Sequence, residues 1–274
     1  MLDNQRLTQA PRSKFHANFR LARALLCSTN HANVSLGLDF VNNFFCANLK
    51  KNVAPLSFAR YAFLDMNTKE AINFVGGFSA PSKMPCHSYS TPAARCVTGA
   101  KLANVKGSIC ASCYALRGNY RFGNVQKALE RRLESLSSPL WVEAMTQAIG
   151  GWESSGFFRW HDSGDIQSLE HLEKIAQVAS NLPHISFWLP TREYAFVSAY
   201  VAKHGAFPSN LTVRLSAYMV EGNPPAMLAK RLGVQTSGVS KTGFTCPSST
   251  QGNKCLSCRA CWDKTVENVN YKKH

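Results

Sequence analysis

The sequence predicts an α/β fold, namely a partial or small (β/α) barrel with parallel strands and two cysteine-rich metal-binding loops. Strand and helix patterns alternate between residues 157 and 217 at the spacing of parallel β/α units. Eight of the ten cysteines fall into two groups of four, and each group contains a Cys-x-x-Cys pair. Such pairs are typical of metal ligands.

Residues 1–68 are predicted to form a basic N-terminal extension, because their first half carries five cations and one acid. Within it, Cys27 and Cys46 stand alone in the sequence, and isolated cysteines behave as small hydrophobic residues. Residues 69–274 are predicted to form a single β/α catalytic domain that begins with a strand at residues 71–78.

The first cysteine-rich loop covers residues 86–113 and has the spacing C-x9-C-x13-C-x2-C. Its predicted metal ligands are Cys86, Cys96, Cys110 and Cys113. Four thiolates close a structural zinc site or hold one iron–sulfur cluster, and the spacing does not choose between them. A redox pair formed by the Cys-x-x-Cys alone would leave Cys86 and Cys96 unused. The N-terminus lacks a signal-peptide pattern, so we expect reduced thiols in the cytoplasm.

The charge balance predicts a polyanionic partner, DNA or tRNA. Lys and Arg outnumber Asp and Glu by 31 to 16, and residues 95–132 hold eight cations against Glu130. Cations neutralise phosphates and aromatic rings stack on bases. The predicted nucleic-acid-binding residues are Arg95, Lys101, Lys106, Arg117, Tyr120 and Arg121. The alternative is a solvated helix face with ordinary core aromatics.

The centre of the chain is predicted to be a strand that ends in a polar turn, over residues 157–167. Apolar residues then recur at three- and four-residue steps to residue 182, which indicates a helix. Further strands are predicted at residues 185–189 and 211–217. Further helices are predicted at residues 125–136, 140–149, 194–204 and 226–232.

Polar residues follow each predicted strand, and the carboxyl ends of parallel strands meet at one edge of a sheet. We therefore expect the active site at this edge. The predicted catalytic residues are Asp162, Asp165, His161 and Glu193. The predicted substrate-binding residues are Ser163, Gln167, Arg192, Arg214 and Tyr218. The alternatives are that Asp162 and Ser163 only cap the helix, and that the two arginines form structural ion pairs.

The second cysteine-rich loop covers residues 246–261 with the spacing C-x8-C-x2-C-x2-C. Its predicted ligands are Cys246, Cys255, Cys258 and Cys261, and His274 is an alternative to one of them. Zinc and a cubane iron–sulfur cluster both fit this pattern.

Three of these motifs together resemble the phage- and plasmid-borne "gene 88" protein family. They are Cys-Tyr-Ala at residues 113–115, His-Asp-Ser-Gly-Asp at residues 161–165, and Cys-x-x-Cys-x-x-Cys-Trp at residues 255–262. The resemblance covers residues 72–274. It implies a phage or mobile-element origin, and hence the host-cell cytoplasm, but no established function.

Two segments are also similar to tRNA-guanine transglycosylases and their DNA-modifying relatives. These are Asp-Ser-Gly-Asp-Ile-Gln at residues 162–167 and Leu-Pro-Thr-Arg at residues 189–192. The resemblance implies a base exchange in a TIM-barrel-like fold, with Asp162 as the acid/base and a second carboxylate as the nucleophile. The nucleophile's position is occupied by Ser186 here, so Asp165 would have to replace it.

The chain is similar, finally, to radical-SAM-type partial barrels, including a phage group with a Cys-Tyr-Ala motif. This resemblance implies a cluster held by three cysteines with S-adenosylmethionine (SAM) on its open iron. Their spacing is C-x3-C-x2-C, and Lys106 stands where the first cysteine would be. Cys96 would have to serve, and Cys86 as a fourth ligand would fill the iron that SAM needs.

The sequence therefore predicts a metal-containing, phage-type enzyme that acts on nucleic acid, in its most specific form a transferase that exchanges or modifies bases in DNA or tRNA. An iron–sulfur, radical-SAM-like enzyme is the first alternative, and a non-catalytic, metal-stapled nucleic-acid-binding protein is the second. A small nucleobase or nucleotide is a further candidate substrate. No apolar run is long enough to cross a bilayer, so no membrane partner is expected.

Overall fold

The computed structural model describes residues 66–273. In this range six strands form one sheet in the order of the sequence, and every neighbouring pair is parallel. The strands are β1 (Ser88–Tyr89), β2 (Phe157–Trp160), β3 (Ser186–Thr191), β4 (Leu211–Ser216), β5 (Gln235–Ser240) and β6 (Asn268–Lys272). The first and last strands do not pair within the described range, so the sheet is open.

Seven α-helices occur in the same range. They are α1 (Thr68–Phe74), α2 (Val97–Leu102), α3 (Gly123–Ser135), α4 (Trp141–Trp152), α5 (Leu169–Asn181), α6 (Tyr194–His204) and α7 (Ala226–Leu232). The chain alternates β2–α5–β3–α6–β4–α7, as the sequence predicts, and β5 follows α7. Both cysteine-rich loops lie outside this alternating part, the first on either side of β1 and the second between β5 and β6.

The main core lies between one face of the sheet and the helices. Alternate strand residues such as Phe158, Phe187 and Val213 point into it, because side chains along a strand alternate between the two faces. Helix α5 supplies Leu172 and Ile175 from the same side, as its apolar periodicity predicts. Ser168 caps this helix by accepting a hydrogen bond from the His171 backbone N–H at 3.1 Å.

The opposite face of the sheet is covered by the second cysteine-rich loop. Thr212 Oγ1 donates to the Trp262 carbonyl at 2.7 Å, and Trp262 Nε1 donates to the Phe158 carbonyl at 3.0 Å. Trp262 also packs edge-on against Trp188, with ring centroids 5.2 Å apart. This loop therefore forms part of a second, smaller core on this face of the sheet, although it contains little regular secondary structure.

One predicted element is wrong, and three strands were missed. The strand predicted at residues 71–78 is helix α1, because Asn67 and Glu70 form a reciprocal capping box at its start. Glycines at 76 and 77 then end it with φ values of 85° and 86°. Strands β1, β5 and β6 were not predicted, since β1 has two residues and β5 is mostly polar. Cys27, Cys46 and His274 lie outside the described residues.

Arg214 is predicted to bind substrate, but its position within β4 makes it a structural residue. Its side chain is fully buried, and its five N–H groups donate to five backbone carbonyls. The acceptors are Thr236, Ala260, Cys261, Asp263 and Val266, at 2.7–3.1 Å. Burial lowers the pKa of Arg214, and with every donor used the guanidinium has none left for a phosphate or carboxylate.

No helix among the described residues is long and apolar enough to span a bilayer.

Replacing Arg214 by leucine would leave these buried carbonyls without hydrogen-bond donors. We expect Arg214→Leu to lower the free energy of unfolding by at least about 3 kcal/mol, since each unsatisfied buried carbonyl costs about 1–3 kcal/mol. Urea denaturation measures this. The matched control is Arg231→Leu, whose side chain is exposed at the end of α7 and should change stability by less than about 0.5 kcal/mol. Equal stability of the two variants would contradict this role of Arg214.

Candidate functional site

Three cysteines of the first loop lie together beyond the carboxyl end of β1. Cys96 precedes α2, and Cys110 and Cys113 bracket a single 3₁₀ turn in which the Cys113 N–H donates to the Cys110 carbonyl at 3.2 Å. A Cβ atom built on Gly99 would lie 3.5 Å from the Cys96 sulfur and 3.7 Å from the Cys110 sulfur. Two thiols therefore flank the same point. Burial raises the pKa of Cys96, and the neighbouring Asp165 and Cys113 raise it further.

The tips of β3 and β4 hold this loop in place. The Glu193 carboxylate accepts hydrogen bonds from the Thr98 N–H at 2.7 Å and the Thr98 hydroxyl at 2.6 Å. The Ile109 N–H donates to the Tyr218 carbonyl at 2.9 Å. Glu193 is buried, so this predicted catalytic acid anchors the turn of helix that follows Cys96.

Cys86 does not join the other three cysteines of its predicted group. It is buried in a small apolar cluster with Trp188, Cys261 and Trp262, on the face of the sheet covered by the second loop. The Cys255 N–H donates to the Lys83 carbonyl at 2.8 Å and ties the two segments together. Cys86 precedes β1 and Cys96 follows it, so the strand carries them to opposite ends. The four predicted ligands are therefore separated: Cys96, Cys110 and Cys113 lie together, and Cys86 lies with the second cysteine group.

A pocket of about 260 Å³ lies beside the second cysteine group. Its lining includes Cys246, Cys255, Cys258 and Cys261. The Cys258 N–H donates to the Cys255 carbonyl at 2.9 Å, which gives the turn expected of a Cys-x-x-Cys ligand pair. Burial raises the pKa of Cys261 to about 11. The donors are all thiols, which suits zinc or an iron–sulfur cluster. Across residues 66–273, no three His, Cys, Asp or Glu side chains converge as ligands of a single metal ion.

Asp162 joins β1, β2 and the first cysteine-rich loop. Its carboxylate accepts hydrogen bonds from Ser88 Oγ at 2.7 Å, from Ser90 Oγ and from Tyr120 Oη at 2.7 Å. The Tyr114 hydroxyl donates to its backbone carbonyl. Asp162 is half-buried, so of the predicted catalytic residues it is the most accessible at the sheet edge.

Asp165 is buried between the tips of β2 and β3. Its carboxylate accepts hydrogen bonds from Thr191 Oγ1 at 2.6 Å, the Ile166 N–H at 2.8 Å and the Arg192 N–H at 2.9 Å. Burial raises the pKa of Asp165 to about 6 in spite of these donors. The contacts fix the polar turn, and both carboxylate oxygens are engaged.

His161 points into the core instead of the site. Its φ of 60° turns the chain at the end of β2, and its ring packs edge-on against His171 at 5.4 Å between centroids. Neither ring nitrogen has a hydrogen-bond partner in the described part of the chain. Burial, assisted by Arg159, lowers the pKa of His161 to about 3, so the ring is neutral.

The remaining predicted substrate-binding residues divide into two pairs. Ser163 Oγ donates to the Thr91 carbonyl at 3.1 Å and Gln167 Nε2 to the Asp165 carbonyl at 2.7 Å, so both stabilise the turn. Arg192 and Tyr218 lie beside the three thiols. Burial raises the pKa of Cys110, and the Arg192 charge opposes that shift. Tyr218 donates to the Arg192 carbonyl at 3.2 Å.

An exposed basic surface borders the three thiols. Its cations Arg95, Lys101, Lys106, Arg117 and Arg121 are all exposed. That they bind nucleic acid stays a prediction. Phe122 lies among them with 58% of its surface accessible. Tyr120 is half-buried, because its hydroxyl is bound to Asp162. Arg95 is 3.7 Å from Glu130, an ion pair too exposed to neutralise the surface.

Arg159 was not among the predicted site residues. Its guanidinium lies over the Trp188 ring, 4.5 Å from the centroid, and Nη2 donates to the His161 carbonyl at 3.5 Å. Its charge acts on the thiols of Cys86, Cys255 and Cys261. The only feature of the sequence that could have indicated a role for Arg159 is its position within an aromatic strand.

The chain matches the family model described as "Gene product 88" over residues 48–264, which is most of its length. The protein belongs to this family. The "gene 88" resemblance is therefore confirmed. No curated protein and no solved structure matches the chain.

The gene product 88 family carries no assigned reaction, so the transglycosylase and radical-SAM resemblances stay predictions. The geometry weighs against the first of them. Ser186, at the transglycosylase nucleophile's position, is the first residue of β3 and pairs with Phe157, the first residue of β2. Asp162 follows the other end of β2. The two positions therefore lie at opposite edges of this sheet.

Gly99 provides a test of how closely the first-loop thiols approach each other. We expect Gly99→Ala to lower the free energy of unfolding by about 1–2 kcal/mol, because the new Cβ would lie 2.9 Å from the Cys96 Cβ. Gly123→Ala is the control, since its Cβ would meet nothing within 4 Å. Urea denaturation and the alkylation rate of Cys96 measure the effect. If the two variants are equally stable and equally reactive, the packing around Cys96 is looser than described.

Proposed function

We propose that this protein is an iron–sulfur enzyme that acts on nucleic acid, with Cys96, Cys110 and Cys113 as the ligands of a cluster at the carboxyl edge of the sheet. The observation that carries the proposal is the separation of Cys86 from these three thiols. Three thiolates leave one iron of a four-iron cluster without a protein ligand. An exogenous molecule can bind at that position.

The open parallel sheet is consistent with a partial (β/α) barrel of the radical-SAM type. The objection from the sequence was that Cys86 would fill the fourth position, and its burial beside Cys261 removes that objection. A three-cysteine cluster with bound SAM supplies radical chemistry. SAM is therefore the cofactor that this site supports best.

The protein's own residues would position this centre and balance its charge. Glu193 holds Thr98 and thereby fixes the backbone next to Cys96. Arg192 places a cation near Cys110, which favours the thiolate that binds iron. Asp162, bound by Tyr120, ties the same loop to the tips of β1 and β2. We assign these three residues positioning roles.

Nucleic acid is the substrate class that the surface supports best. The exposed cations border the three thiols, and an exposed phenylalanine lies among them. Cations neutralise phosphates, and an exposed aromatic ring can stack on an unstacked base. A free nucleobase or nucleotide would not need so extended a basic surface, although the same open iron would suit a reaction on it.

A base exchange with two carboxylates is less well supported. Asp165 would be its nucleophile, yet both of its oxygens already accept hydrogen bonds from three donors. A purely structural role for the thiols, in a non-catalytic nucleic-acid-binding protein, predicts zinc at both sites and no effect of SAM.

The division of the first cysteine group is tested with two substitutions. We expect anaerobically purified Cys96→Ser to lose the change that SAM produces in the electron paramagnetic resonance spectrum of the reduced protein, because the ligand set is broken. Cys86→Ala should keep that change, since Cys86 lies with the second group. Its loss in Cys86→Ala would contradict the three-thiol assignment. A wild type that contains only zinc would contradict the proposed function.

The basic surface is tested by charge reversal. We expect Lys101→Glu with Arg117→Glu to weaken binding of DNA or tRNA at least about tenfold and to lower the slope of log K against log salt by about 2. Fluorescence anisotropy over a salt series measures both. Lys230→Glu with Arg231→Glu changes the charge equally on α7 and serves as the control. Equal losses in both variants would show that net charge, and not this surface, governs binding.

A further inference from the structure

The pocket that the second cysteine group helps to line has more room than the single ion that a four-cysteine motif most often holds. A tetrahedral zinc ion keeps each sulfur at about 2.3 Å, so its four sulfurs lie roughly 3.8 Å apart with no space between them. Here the thiols of Cys246, Cys255, Cys258 and Cys261 line a pocket of about 260 Å³. One water occupies about 30 Å³, so several would fit.

Each of the four cysteines contributes to the lining of this space. Two sulfurs have weak polar contacts on its border, Cys246 with Ser248 Oγ at 3.2 Å and Cys261 with Tyr271 Oη at 3.3 Å. A cubane cluster places iron and sulfide between its cysteines and so spreads them farther apart than one ion does.

We propose that this pocket binds a second four-iron cluster, through Cys246, Cys255, Cys258 and Cys261, and not a zinc ion. Four thiolates occupy all four irons, so this centre, unlike the one at Cys96, has no position for SAM. The inference goes beyond the proposed function, because it concerns a different set of thiols.

The surroundings suit an anionic, water-poor cluster. Arg159 acts electrostatically on three of the nearby thiols, and Arg214 and Lys83 each act on one. Trp188, Trp262 and Val269 form the apolar wall next to Cys261. Cations close to a buried centre offset the negative charge of four thiolates.

Cys86 lies against this site as a fifth thiol. It shares the apolar cluster with Cys261 and is electrostatically adjacent to Cys255. Four other thiols already line the pocket, so we assign Cys86 to the wall and not to the ligand set. This makes Cys86 the matched control for the four ligands.

Metal analysis of the full-length, anaerobically purified protein tests the proposal. We expect about eight irons per chain, four for each cubane, with matching acid-labile sulfide and no stoichiometric zinc. The triple variant Cys96→Ser, Cys110→Ser, Cys113→Ser should keep about four irons, and Cys258→Ser should lose about that number. Cys86→Ala should keep all eight. Each content is measured by mass spectrometry of the metals.

The outcomes separate this inference from the proposed function. One zinc per chain in the wild type that Cys258→Ser removes would overturn the second cluster and leave the first standing. A wild type with only about four irons, all kept in the triple variant, and with no response to SAM would support the second cluster and overturn the proposed function. If the triple variant does not fold, the zinc contents of the wild type and of Cys258→Ser are enough to decide between zinc and a second cluster. A loss of four irons in Cys86→Ala would overturn the assignment of Cys86 to the wall.

Discussion

The parallel pairing of β1 with β2 determines where the cysteines of the first loop lie. Ser88 and Tyr89 align with Arg159 and Trp160, and this register fixes the direction in which the chain enters and leaves the sheet. Cys86 enters on the side of the second loop, whereas Cys96 leaves at the edge where the other strands end. Since all neighbouring strands are parallel, that edge also collects Glu193 and Tyr218. The three-thiol site is a consequence of this shared direction.

Backbone carbonyls are the second constraint, because the loop between β5 and β6 has little regular structure to satisfy them. Buried carbonyls without donors are costly, and a loop that covers a sheet face carries many. Arg214 supplies five donors from the middle of β4 and so replaces the hydrogen bonds of a missing helix. On the helical face Asn210 has a smaller role of the same kind, since its amide donates to the carbonyls of Ala179, Leu182 and Ile185 at 2.9 Å. A cysteine-rich loop thus becomes part of the core because one arginine beneath it can satisfy its backbone.

Periodic apolar patterns predicted the regular part of this fold. Helices α6 and α7 have the predicted bounds, and β2, β3 and β4 lie at the predicted places, since apolar residues of each pack against the main core. Strand β5 lacks that pattern because its buried positions are Thr236, Ser237 and Ser240. The strand-end residues were identified, but their roles depend on what each side chain contacts. A sequence does not distinguish Arg214, enclosed by carbonyls, from Arg192, which lies beside a thiol. Nor does cysteine spacing show that a two-residue strand separates Cys86 from Cys96.

Arg159 connects the two thiol groups physically. It lies on the face of β2 that meets the second loop, and its charge acts on Cys86, Cys255 and Cys261 there. It also contacts the turn that carries Asp162, through the His161 carbonyl, and Asp162 holds the first loop through Tyr120. The half-buried Arg159 therefore faces thiols of the second group and contacts the turn that carries Asp162. Neutralising Arg159 would remove one of the cations that offset negative charge on both sides, so the two thiol groups share part of their electrostatic support.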